Sequence, residues 1–158
     1  MKPLVVYYSR TGTTRKVGEA IARALNCDSE GITEKKGRAG SLGFLRSGME
    51  ATFGRLPTIN AAAKDSASYD LIILGTPVWN LRMASPMRTY LTQHAGEFNK
   101  VAFFSTYGGK ERPRVYADME QLCRGAPVQV LGLQEREVKS GDYAQKVTHF
   151  VSALQSLE

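Results

Sequence analysis

The sequence predicts an open α/β domain, a parallel sheet with helices on both faces, and three observations carry that expectation. The chain has 158 residues, the size of one compact domain spanning 1–158. Leu4-Val5-Val6-Tyr7-Tyr8 and Leu71-Ile72-Ile73-Leu74 are short continuous apolar runs, the pattern of strands buried on both faces. Amphipathic stretches alternate with such runs, which makes βαβ units rather than antiparallel pairs. Right-handed crossovers leave few topologies for five strands, and an open doubly wound sheet is the commonest.

The first strand, Leu4–Tyr8, leads through polar Ser9–Thr14 into a helix with Val17, Ala20, Ile21, Ala24 and Leu25 on one side. Ser29–Glu34 reads as a polar edge strand. In Gly37–Gly54, Leu42, Leu45, Met49 and Phe53 recur at roughly helical spacing, although five glycines argue against a regular helix. Tyr69–Gly75 forms the next strand, with a loop over Thr76–Ala84. Ser85 then reads as an N-cap with Pro86 at the first helical position, and the helix should end near Gly96. A strand over Lys100–Ser105, a loop over Thr106–Arg112 and a helix from Pro113 to Leu122 follow. Val128–Leu133 is the last strand, and Tyr143, Val147, Phe150, Val151 and Leu154 form the buried stripe of the last helix.

Composition narrows the class without choosing a function. Hydrophobic residues at 42% and charged residues at 23% are ordinary globular usage, which argues against disorder. The start has no signal-peptide pattern and no apolar run can span a bilayer, so a cytoplasmic protein is expected. The net charge of +6 is compatible with several kinds of anionic partner. No nucleic-acid recognition module is visible. Cys27 and Cys123 make neither a disulfide framework nor a metal cluster, and packing as small hydrophobes is expected of both. His94 and His149 have no nucleophile or carboxylate constellation beside them in sequence, so neither catalytic residues nor metal ligands are assigned.

In an open sheet of this kind, ligands bind beyond the carboxyl ends of the strands. Three loops therefore matter. Ser9-Arg10-Thr11-Gly12-Thr13-Thr14 sets four hydroxyls around one glycine at a helix N-terminus, where backbone N–H groups and the helix dipole favour an anion. Taken alone it is equally a capped turn. It lacks the P-loop pattern, the dinucleotide glycine pattern and the acidic residues of a phospho-receiver. Hydroxyls alone suit a phosphate monoester without metal. The second loop holds the single tryptophan, Trp79; the third holds Tyr107 with Gly108 and Gly109. Two aromatics at one sheet edge can pack on a flat heteroaromatic, and glycines let backbone approach its polar rim. Trp79 by itself could equally cover the core.

These three segments resemble the flavodoxins and flavodoxin-like FMN proteins, through Ser9–Thr14, Gly75-Thr76-Pro77-Val78-Trp79-Asn80 and Ser105-Thr106-Tyr107-Gly108-Gly109. The element order agrees over essentially the whole chain. The resemblance implies a three-layer α/β/α architecture with a five-stranded parallel sheet in the order 2-1-3-4-5. It also implies non-covalent FMN, bound at the switch point of the sheet. By that likeness Ser9, Arg10, Thr11, Gly12, Thr13 and Thr14 surround the phosphate. Pro77, Val78, Trp79 and Asn80, with Thr106, Tyr107, Gly108 and Gly109, meet the ribityl chain and ring.

The chain departs from the acidic electron-carrier flavodoxins in its basic surface. Arg10, Arg82, Lys110, Arg112 and Arg114 lie in or beside the three loops, with Glu111 as the local acid. Cations near a flavin stabilise its reduced anion, so a less strongly reducing cofactor is expected unless they point into water. Between Glu34 and Arg55, five cations face two acids, interleaved with apolar residues. That segment is expected to be a crossover helix covering the sheet, with a docking or membrane-surface element as the alternative. Electron transfer through FMN with an unidentified redox partner is the favoured function. An NAD(P)H-dependent FMN oxidoreductase of the quinone-reductase type is the alternative, and an interaction protein with an empty site is a third.

Overall fold

The computed structural model describes residues 1–35, 40–111 and 113–157. Its elements are β1 (Pro3–Tyr8), α1 (Thr13–Leu25), β2 (Asp28–Ile32), α2 (Gly40–Thr52), β3 (Leu71–Trp79), β4 (Arg82–Met83), α3 (Ser85–Gln93), β5 (Val101–Tyr107), α4 (Pro113–Cys123), β6 (Pro127–Gln134), α5 (Glu135–Ser140) and α6 (Tyr143–Gln155). The sheet runs β2-β1-β3-β5-β6, parallel throughout, and β4 adds one short antiparallel pairing to the end of β3. Leaving aside two-residue β4, this is the expected five-strand order.

Strand alternation builds the two faces. Leu4, Val6, Ile72, Leu74, Val101 and Phe103 point to one side, where Met87, Tyr90 and Leu91 of α3 and Val115 and Met119 of α4 cover them. Val5, Tyr7, Leu71, Ile73, Ala102 and Phe104 point to the other, under Val17 and Ile21 of α1 and Val147, Phe150 and Leu154 of α6. Most of these side chains are fully buried, and each such aliphatic contributes about 1.5–3 kcal/mol. The continuous apolar runs follow from two covered faces.

Several boundaries differ from the sequence reading, each for a local reason. The expected loop Thr76–Ala84 is instead the extension of β3 to Trp79, a turn at Asn80 and Leu81, and the return strand β4. Both turn residues have positive φ, 44° and 68°, the two-residue hairpin geometry that matches strand twist. The Thr76 hydroxyl accepts from the Ala84 N–H at 3.0 Å, a link invisible in a linear reading. Ser85 is not the N-cap of α3. It is the first helical residue, behind Ala84, and its hydroxyl donates to Glu50 Oε2 of α2 at 3.1 Å. Thr106 and Tyr107 belong to β5 and are buried, so the third loop opens at Gly108. Short α5 follows β6 directly, and Gln134 and Glu137 form a reciprocal capping box at its start.

The largest departure is α2. It is a helix despite its glycines, but its apolar residues do not cover the sheet. Gly43, Ser47, Glu50 and Ala51 face inward, while Leu42, Phe44, Leu45, Met49 and Phe53 are exposed. Gly37, one of the five glycines counted there, and the cations Lys36 and Arg38 lie outside the described residues.

Gly75 is required by contact rather than by backbone freedom. A Cβ built there would lie 1.9 Å from Phe104 Cζ, inside the ring that crosses it from β5. Gly75→Ala is expected to cost about 1–3 kcal/mol by overpacking, read as a lower urea midpoint. Gly125→Ala, with open space around it, serves as the silent control.

Candidate functional site

β1, β3 and β5 deliver the three segments to one edge of the sheet, because all three strands run parallel and end there. The first segment turns at Gly12, whose φ of 96° is left-handed and suits glycine. The Gly12 N–H donates to Ser9 Oγ at 3.1 Å, which closes the turn. No side chain caps α1, and its first turn carries no acid. A helix N-terminus left in that condition offers its amides and the positive end of its dipole to an anion.

The hydroxyls of this segment do different things. Thr11 is exposed and Thr13 half-buried. Thr14 is buried, and its hydroxyl pairs with that of Thr106 at 2.8 Å, across the gap between α1 and β5. Thr14 therefore presents its backbone, and Thr106 acts as the partner that pins the turn. Arg10 lies over the Phe44 ring of α2, 5.4 Å from its centroid.

In the second segment, Pro77, Val78 and Trp79 are half-buried at the end of β3, and Asn80 is exposed at the turn. The Trp79 indole stands edge-on to the Tyr8 ring, with centroids 5.4 Å apart and planes at 90°. The Tyr8 hydroxyl donates to Glu34 Oε1 at 2.8 Å. Tyr8 thus supports the indole from β1, a role its place in a core run did not reveal. The Asn80 side-chain amide donates to the Thr52 hydroxyl, tying the hairpin to the end of α2. Between them, Phe44, Leu45, Met49, Phe53, Val78 and Trp79 line a groove of about 430 Å³.

The third segment offers Gly108 and Gly109, both exposed, with no atom within 4 Å of the position a Cβ would take. Gln134 Nε2 donates to the Gly109 carbonyl at 2.8 Å and anchors this loop to the start of α5. Beneath it, Ser105 Oγ lies 2.8 Å from the Tyr116 hydroxyl, which donates to Glu111 Oε1 at 3.3 Å. Burial pushes the Tyr116 phenol well above the usual tyrosine range, and the Glu111 charge adds to this. Tyr107 is raised by burial first and by Glu111 second. Both phenols stay protonated across the physiological range.

The expected cations divide. Arg82 is held by Asp118 at 3.0 Å, which also takes Arg88 at 3.4 Å. Lys110 and Arg114 are exposed, and Arg112 lies outside the described residues. Away from this edge, His94 Nδ1 meets Glu97 at 2.7 Å and Cys123 is buried.

A flavodoxin family model matches residues 2–145. The chain belongs to the flavodoxin family. Among solved structures, it is similar to a flavoprotein from Lactobacillus acidophilus NCFM in complex with FMN. That likeness has 26% identity and a TM-score of 0.72, covering 88% of this chain and 97% of the other. Oxidised flavodoxin 2 from Bacillus cereus shares the fold at 20% identity and a TM-score of 0.62, covering 100% of both chains. The parallel sheet with helices on both faces is thus the family's fold.

The Thr14–Thr106 hydroxyl pair bears directly on stability. Thr14→Val leaves one buried hydroxyl without its partner and is expected to cost about 1–3 kcal/mol in urea denaturation. Thr14→Val with Thr106→Val removes both groups and should recover part of that loss, which a double-mutant cycle measures.

Proposed function

We propose that the chain binds FMN non-covalently at this edge and works in electron transfer. The observation that carries the reading is the uncapped N-terminus of α1 behind the left-handed Gly12 turn, set at the same sheet edge as Trp79 and the Gly108–Gly109 loop. The donor set fits the group: amides and neutral hydroxyls for a phosphate monoester, an indole for a flat ring, and two glycines that leave its polar rim approachable. The FMN complex of the Lactobacillus acidophilus relative supports the same cofactor.

When bound, FMN supplies the redox chemistry, accepting and releasing electrons. Gly12, Thr13 and Thr14 would hold the phosphate through backbone N–H groups, with the hydroxyls of Thr11 and Thr13 and the Arg10 charge alongside. Pro77, Val78, Trp79 and Asn80 would meet the ring and ribityl chain from one side. Tyr107, Gly108 and Gly109 would meet them from the other, with Thr106 holding the turn in place. The Tyr8 ring stiffens the Trp79 indole against β1. Electron exchange needs no acid–base residue, and the nearby phenols keep their protons. Lys110 and Arg114 would weaken the reducing power of the cofactor modestly, since both are solvated and Arg82 is paired with Asp118, which it shares with Arg88.

Apoprotein titrated with FMN is expected to quench flavin fluorescence with Kd below about 1 µM. Thr13→Glu sets a carboxylate in the phosphate position. It should weaken FMN by at least about tenfold, roughly 1.4 kcal/mol, and riboflavin much less. Equal loss for both ligands would remove the phosphate assignment. In anaerobic spectra, slow bleaching by NADPH alone with rapid reduction through a separate reductase supports the carrier. Rapid bleaching by NADPH with quinone turnover would instead make the chain an NAD(P)H-dependent oxidoreductase.

A further inference from the structure

α2 is built inside out for a helix of a globular domain. Its inner face is Gly43, Ser47, Glu50 and Ala51, and its outer stripe is Leu42, Leu45, Met49 and Phe53, with Phe44 on one flank. Leu42 is 80% exposed, Phe44 67% and Phe53 69%. Leu56, just beyond the helix, and Leu81, at the tip of the β3–β4 turn, are exposed apolar side chains as well. Asn80 and Thr52 fasten that turn to the helix. At 1.5 Å per residue, Leu42 and Phe53 lie about 16 Å apart along the helix, so a single ring ligand in the groove beside Trp79 cannot cover both ends. Exposed apolar surface of this extent marks an interaction face.

The surrounding charge says what it meets. Lys35, whose backbone N–H donates to the Thr58 carbonyl, and Arg55 are exposed, Arg46 is 41% exposed on the helix and paired with Glu50, and Arg10 stands beside Phe44. The two acids of the segment turn inward: Glu34 takes the Tyr8 hydroxyl, and Glu50 is buried against Arg46 and Ser85. The sequence adds Lys36 and Arg38 just before the helix. A second copy of this chain would bring these like charges together in a two-fold contact. A ridge of single apolar side chains with a cationic border is the pattern of a helix lying in a lipid interface.

We propose that α2 and the Leu81 turn seat the protein on an anionic lipid surface, with Leu42, Leu45, Met49 and Phe53 entering the acyl boundary and Lys35 and Arg55 meeting headgroups. This orientation sets the Trp79 side of the candidate site at the lipid interface. The assignment does not depend on FMN binding, so either can fail without the other.

The full-length protein is sedimented with vesicles of phosphatidylcholine alone and with vesicles containing about one-third phosphatidylglycerol. Binding to the anionic vesicles is expected to be at least about tenfold stronger and to fall as salt is raised. Leu45→Ser with Phe53→Ser, and separately Lys35→Glu with Arg55→Glu, should each weaken it by about tenfold or more. All four side chains are exposed, so the melting temperature should be unchanged. Failure to sediment with the anionic vesicles overturns the assignment, as does sedimentation that neither pair of substitutions reduces. Lack of vesicle binding with a dimer that Leu45→Ser disrupts would give the face to a second copy. Saturable binding to an acidic protein without vesicle binding would give it to a protein partner.

Discussion

The site depends on a helix N-terminus that is held firmly yet left without an internal acceptor. Ordinarily a Ser, Thr, Asp or Asn side chain would satisfy the first amides of α1. Here Gly12 occupies the capping position and Ser9 takes the Gly12 N–H instead. What keeps this end in place is the Thr14–Thr106 hydroxyl pair, which joins residues 92 apart in sequence. Positioning is thereby separated from the backbone groups of the helix start. A side-chain hydrogen bond locates the helix, and the backbone remains available for an anion.

The same separation recurs around the other two segments. Trp79 is carried to the edge by an extended β3 and steadied by Tyr8, while the hairpin at Asn80 and Leu81 returns the chain to α3. The Gly108–Gly109 loop is anchored from α5 through Gln134. Each segment is supported by contacts on its inner side, so the outer side is shaped before any ligand arrives. Such pre-organisation reduces the ordering cost of binding.

Charge near the site is more finely divided than the net +6 suggests. Asp118 takes up Arg82 and Arg88, whereas Lys110 and Arg114 face water. Beside the apolar stripe of α2, Lys35 and Arg55 are exposed and Arg10 lies over Phe44.

The strands, most helices and the three edge segments were legible because they depend on periodicity and local chemistry. Two covered faces demand continuous apolar runs, and a glycine before a hydroxyl-rich helix start marks a particular turn. Not legible were the continuation of β3 through Pro77 to Trp79, the use of Ser85 for Glu50, and the burial of Thr106. Each results from a partner distant in the chain. The orientation of α2 shows the limit most clearly. Leu42, Leu45, Met49 and Phe53 specify one apolar face, but periodicity carries no sign that says whether it points to the sheet or away. The small inner residues, Glu50 with its partners Arg46 and Ser85, and the Asn80 link settled that in three dimensions. Sequence alone determined which residues share a face; only tertiary packing decided what each face meets, because burial is a property of the assembled neighbours.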